Sequence, residues 1–196
     1  MPIIVVGGSG RNVGKTSLVC GLIAALPELE WTAVKITSHV HNERDAVWEE
    51  TAAGQNTDTA RYLAAGARRA FLLTAPEIFT LGKPELAEVL DRFWPNLGRG
   101  TNLIFESNRI LNHMRPDVCL LVLGGLDRAS RKPSFFARIG SGDAMVVRAN
   151  ADAIVGDASG RDEHIKPIFH LVDLERISPE MLDWLRLRLN SPRLTS

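Results

Sequence analysis

The run Gly8-Ser9-Gly10-Arg11-Asn12-Val13-Gly14-Lys15-Thr16-Ser17 holds the residue types that a bound phosphate chain needs, in the order it needs them. Glycines let a backbone take positive φ and bring successive N–H groups close around an anion. A helix starting near Lys15 adds unpaired N–H groups and the positive end of its dipole. Lys15 supplies a point charge for β- and γ-phosphates, and the Thr16 hydroxyl is a ligand for Mg²⁺. The spacing is that of G-x-x-x-x-G-K-[ST] with one departure. The first glycine of the strict pattern falls on Ser9, and Gly8 supplies it one residue earlier. The competing reading is a tight turn with no ligand. A buried strand before the loop and a helix after it favour phosphate, so residues 8–17 are the candidate nucleotide-binding segment.

The surrounding pattern provides those elements. Ile3 to Val6 is a β-branched run suited to a strand buried on both faces of a parallel sheet. Lys15 to Leu26 has apolar residues at helical spacing, and Pro27 ends it. Strands are expected at 31–37, 70–73, 103–105 (ending in Glu106), 117–123, 144–147 and 168–172. Helices are expected at 57–67, 84–93 and 179–189. In the first of these Thr57 caps the start, Gly66 marks the stop, and Ala60, Leu63 and Ala64 share a face. In the last, Met181, Leu182, Trp184, Leu185 and Leu189 face inward. Residues 43–57 read as a mobile loop with some helix, and 126–134 as a surface loop. Strands alternating with helices predict an α/β fold, a single domain over 1–196 with a mainly parallel sheet flanked by helices.

Beyond the loop the chain resembles families of P-loop NTPases of the SIMIBI class, which also includes metallochaperone GTPases. The long loop, with Val13 before Gly14-Lys15-Thr16, is similar to that of dethiobiotin synthetase. Four stretches resemble the MobB family of molybdopterin-guanine dinucleotide biosynthesis proteins. They are the loop itself, Val34-Lys35-Ile36-Thr37-Ser38-His39, Asp58-Thr59-Ala60-Arg61 leading to Ala65-Gly66-Ala67, and Leu103-Ile104-Phe105-Glu106. The resemblance spans roughly residues 3 to 125. Glu106 is followed by Ser107-Asn108 where that family has glycine, the histidine-rich segment is diluted, and nothing from about residue 126 onward matches.

The resemblance implies Mg²⁺-dependent binding of GTP or ATP with slow hydrolysis, as an accessory to molybdenum cofactor biosynthesis with a molybdenum cofactor enzyme as partner. It implies that Glu106 lies near Mg²⁺, directly or through water, in accord with ligand binding at the carboxyl ends of parallel strands. It implies that Asp58 faces the γ-phosphate and Mg²⁺. The candidate catalytic residues are thus Lys15, Glu106 and Asp58, and the candidate metal ligands Thr16, Glu106 and Asp58. Lys35 is a candidate for the γ-phosphate or a second anionic substrate. His39 and His41 are candidates for metal or acid–base work against the plainer reading of solvated loop histidines. Arg11 and Asn12 are candidates for contact with phosphate or with a second copy across a homodimer. Asn150 and Asp152 make a near-miss to the Asn-Lys-x-Asp base-reading pattern, leaving GTP against ATP open. The alternatives are a dethiobiotin-synthetase-like kinase or ligase acting on a small molecule, and a nucleotide switch without turnover.

Composition sets bounds on these readings. Lys+Arg and Asp+Glu are each 23, so there is no basic excess of the kind that marks a broad nucleic-acid face. Cys20 and Cys119 sit in separate apolar stretches and read as buried thiols. No run approaches the roughly 20 apolar residues of a membrane span. The N-terminal apolar run is too short for a signal peptide, so the expected compartment is the cytoplasm.

Overall fold

The structure is a computed structural model and describes residues 1–38, 45–76, 84–123, 150–156, 166–171 and 173–190. Among these residues eight strands form one sheet: β1 Ile3–Gly8, β2 Thr32–Thr37, β3 Val47–Glu50, β4 Arg69–Thr74, β5 Leu103–Glu106, β6 Val118–Val122, β7 Ala153–Val155 and β8 Ile168–Phe169. Their order is β3-β4-β2-β5-β1-β6-β7-β8. Among the described residues only the β3–β4 pair is antiparallel. Among the described residues four α-helices are defined: α1 Lys15–Ala25, α2 Asp58–Ala64, α3 Leu86–Phe93 and α4 Pro179–Asn190. The expected α/β architecture with a mostly parallel sheet is what forms.

Burial on both faces explains the unbroken apolar runs, as in β1 and β6, whose residues are all buried. Alternate residues of β1 feed two cores. Ile4 and Val6 pack with Leu18, Val19, Leu22 and Ile23 of α1 and with Met181 and Leu185 of α4. Ile3 and Val5 pack with Leu86, Val89, Leu90 and Phe93 of α3. On α4, Met181 and Leu185 are buried, while Leu182, Trp184 and Leu189 pack partly buried against the same core.

Several expectations are corrected. Residues 47–50, read within a loop with some helix, form the edge strand β3. An edge strand is held by its ladder and by cross-strand pairs, here the Arg69 guanidinium on Glu49 at 2.7 and 2.8 Å, so it needs no apolar alternation. Helix α2 is shorter than 57–67. Its Thr57 cap accepts from the Ala60 N–H at 3.0 Å, and Gly66 takes φ 105° past its end. Its buried residues are Thr59, Ala60 and Tyr62, whereas Ala64 is exposed. Among the described residues of the strand expected over 168–172, Ile168 and Phe169 form β8, and β7 was not expected at all. The strand at 144–147, the loop at 126–134, His39 and His41 lie outside the described residues.

Candidate functional site

Parallel strands end together, and here β1, β2 and β5 deliver their carboxyl ends to one cleft of about 950 Å³. Its lining includes residues 9–17, Lys35 to Ser38, Asp58, Arg61 and Glu106 to Arg109. Every residue of the sequence-predicted segment except Gly8 lines the cleft. Gly8 closes β1, and a Cβ there would lie 2.6 Å from Val13 Cγ2 and 2.9 Å from Lys15 Cδ. Only glycine lets the loop fold back over the strand end so tightly. Gly14 caps α1 at φ 95°, a left-handed conformation that favours glycine. Asn12 is also left-handed, at φ 56°, which asparagine tolerates better than most residues.

Sheet register brings the charged residues together. Glu106 pairs with Val6 of β1 on one side and Lys35 of β2 on the other. Paired residues of a parallel sheet share a face, and this face is covered by α1 and α2. Glu106, only 5% exposed, therefore meets side chains from three elements. Its Oε2 accepts from the Thr16 hydroxyl of α1 at 2.8 Å and from the Tyr62 hydroxyl of α2. Its Oε1 accepts from the Lys35 ammonium of β2 at 3.1 Å. Lys35 also donates to Asp58 Oδ2, so its ammonium lies between two carboxylates. Asp58 Oδ1 is 3.9 Å from Arg61, whose guanidinium also reaches Ser17 Oγ at 3.3 Å and Glu175 at 2.8 Å. In this structure Asp58 thus enters the site as the counterion of two cations.

The two lysines are held differently. Burial pulls the Lys35 ammonium toward neutrality, but the Glu106 charge and the hydrogen bonds to Asp58 and Glu106 outweigh it, and its pKa is raised. Lys15 has its pKa lowered, chiefly by burial, with the Lys35 charge adding to the effect and Glu106 opposing it. Its ammonium donates to the Gly10 carbonyl at 2.8 Å, folded back over its own loop. A desolvated ammonium held by a neutral carbonyl gains much from an arriving anion. Arg11, Lys15, Lys35, Arg61 and Arg109 line the cleft against the carboxylates of Asp58 and Glu106, so the lining favours anions.

Asn108 was read only as a departure from a family pattern, yet it organises the loop. Its Oδ1 accepts from the Gly8 N–H at 2.9 Å, and its Nδ2 donates to the Gly8 carbonyl at 3.0 Å. The β1–β5 ladder stops at Val6 and Glu106, and the Asn108 amide stands in for the missing peptide one step further on. Tyr62 was missed as well. Its signal was the spacing from Asp58, four residues earlier on the same helix and therefore on the same side.

One sequence expectation falls elsewhere. Asp152 precedes β7, where it accepts from the Cys119 N–H at 2.8 Å and donates its own N–H to the Cys119 carbonyl at 2.7 Å. That is near the amino end of β6, whereas the cleft lies at the carboxyl ends of the strands, so the Asn150–Asp152 near-miss does not line it. Among the described residues no group of three or more His, Cys, Asp or Glu could cage a metal. Thr16 Oγ1 and the Glu106 carboxylate are nonetheless adjacent hard oxygen donors. Such a pair fits Mg²⁺, which usually takes one or two carboxylates and fills its remaining positions with substrate phosphates and water.

No helix among the described residues is long and apolar enough to cross a membrane. Comparison of the chain with protein-family models, with curated proteins and with solved structures gives no match.

Proposed function

We propose that the chain is a P-loop NTPase of the SIMIBI class, which binds GTP or ATP with Mg²⁺ and hydrolyses it slowly. The observation that carries this reading is the juxtaposition of Lys15, at the head of α1 behind a left-handed glycine, with the Thr16–Glu106 pair at the carboxyl ends of parallel strands. In this reading the loop N–H groups and the first turn of α1 hold the phosphates, and Lys15 leaves the Gly10 carbonyl to neutralise them. Thr16 and Glu106 hold Mg²⁺, which supplies charge neutralisation on the phosphate oxygens. Lys35 is a second ammonium lining the cleft, kept protonated by Glu106 and Asp58. Arg61 ties α2 to α1 at Ser17 and keeps these groups in register.

The accessory role of the MobB kind in molybdenum cofactor assembly rests on the sequence resemblance. One observation favours the kinase or ligase alternative. The cleft runs past the loop to Ile36–Ser38 and Arg109, and about 950 Å³ is at the upper end of small-molecule sites, leaving room for a second substrate.

A direct test is the thermal midpoint of the protein with Mg·ATP, Mg·GTP or the nucleosides at 100 times a micromolar Kd. Binding to the native state adds about 2.7 kcal/mol at that ratio, so a triphosphate should raise the midpoint by several degrees and a nucleoside should not. An unchanged midpoint with both triphosphates contradicts the proposal. Phosphate release that requires a small molecule supports the kinase or ligase reading, and release that requires a protein partner supports the accessory one.

A further inference from the structure

We propose that Tyr62 is a positioning residue of this site, whose hydroxyl orients the Glu106 carboxylate against Thr16. The inference rests on the nucleotide reading above and goes beyond it. Tyr62 is fully buried under α2, and its hydroxyl donates to the same oxygen, Oε2, that accepts from Thr16. The other oxygen, Oε1, takes Lys35. The carboxylate therefore cannot turn about its last bond without breaking a bond to one of three separate elements. Of its three partners, two line the cleft: Thr16 and Lys35. Tyr62 does not line it. When phosphate and cation draw Thr16 and Lys35 toward themselves, Tyr62 is the partner left to keep Glu106 in place.

The phenol is suited to that task. A buried hydroxyl must find an acceptor, and here the acceptor is the functional carboxylate rather than a backbone carbonyl.

Tyr62 is the sole tyrosine in the chain, so a single ¹³Cζ-tyrosine NMR signal reports on it without assignment. In the nucleotide-free protein Glu106→Gln should move that signal. In the wild type, adding Mg²⁺ to protein already holding triphosphate should move it again, and in Glu106→Gln it should not. Tyr62→Phe keeps the ring packing and removes only the donor. Its triphosphate affinity measured in EDTA should stay within about twofold of wild type. The Mg²⁺ concentration for half-maximal hydrolysis should rise roughly 10-fold or more, the scale of one hydrogen bond to a charged group. In the Glu106→Gln background, read by the Mg²⁺ dependence of triphosphate binding because hydrolysis is lost there, the same substitution should add nothing.

A merely structural tyrosine gives the opposite pattern: weaker metal-free binding, an unchanged Mg²⁺ requirement and additive effects. That pattern, or a tyrosine signal indifferent to Glu106→Gln, overturns the proposal. Failure of the wild type to bind any triphosphate overturns the nucleotide reading itself, and the signal's response to Glu106→Gln in the free protein still reports whether the pair exists.

Discussion

Glu106 should separate two substitutions that a surface carboxylate would not. In Glu106→Gln the amide oxygen can face Lys35, and the amide nitrogen can donate to the hydroxyls of Thr16 and Tyr62, which turn to accept. The loss is that of charge assistance, about 1–2 kcal/mol. Glu106→Ala removes every acceptor at once. It leaves the buried Tyr62 hydroxyl without a partner, takes one of two carboxylates from Lys35 and opens a cavity, together costing about 3–5 kcal/mol. The gap of about 2 kcal/mol corresponds to a urea midpoint difference of about 1 M for a domain with an ordinary m-value. Both variants should lose hydrolysis, while Glu106→Gln should retain the fold and triphosphate binding. Equal midpoints for the two variants, or a more stable alanine variant, would refute the reasoning that Glu106 is the hub of the cluster.

Asn108→Ala should weaken triphosphate binding about 10-fold and cost about 1–2 kcal/mol of stability, because it orphans the N–H and carbonyl of Gly8. Asn108→Asp should bind more weakly still, since it removes the donor and sets a negative charge beside the phosphates; calorimetric affinities in the reverse order contradict this. Alkaline pH should destabilise the protein through its thiols. Burial lifts Cys20 to about 11 and Cys119 to about 12 from an ordinary 9.0. The unfolded chain thus releases these protons first, and their contribution is complete below about pH 9 and lost as pH climbs toward 11–12. Urea midpoints of the wild type should fall from pH 8.5 to 10.5, on the order of what linkage predicts, and fall less in Cys20→Ala/Cys119→Ala. Equal slopes would show that the thiols carry none of the effect.

The parts of the fold legible in the sequence were those with strong local signals. The run Ile3 to Val6, the glycines after it and the apolar spacing of Leu18, Leu22 and Ile23 each report on their own surroundings. The edge strand β3 was not legible, because it is held by β4 and by the Arg69–Glu49 pair rather than by an apolar face. The short β7 draws its place from the strands beside it, while β8 was read from its apolar run with too long a span. At the site, Lys15, Thr16 and Glu106 stood out because motif and strand end gave them a position. Tyr62 and Asn108 did not, since their roles depend on register: which residue of β5 lies opposite Lys35, and where the β1–β5 ladder runs out.

The most direct test of the central claim is calorimetric titration of Mg·ATP and Mg·GTP into the wild type and Lys15→Ala. The wild type should bind at least one of them, and Lys15→Ala should bind it about 100-fold more weakly, the loss of a charge-assisted contact worth about 3 kcal/mol. A preference for GTP would favour the MobB-like reading, and a preference for ATP the kinase or ligase. Equal binding to wild type and Lys15→Ala, or binding of neither triphosphate by the wild type, would contradict the assignment of this loop to phosphate.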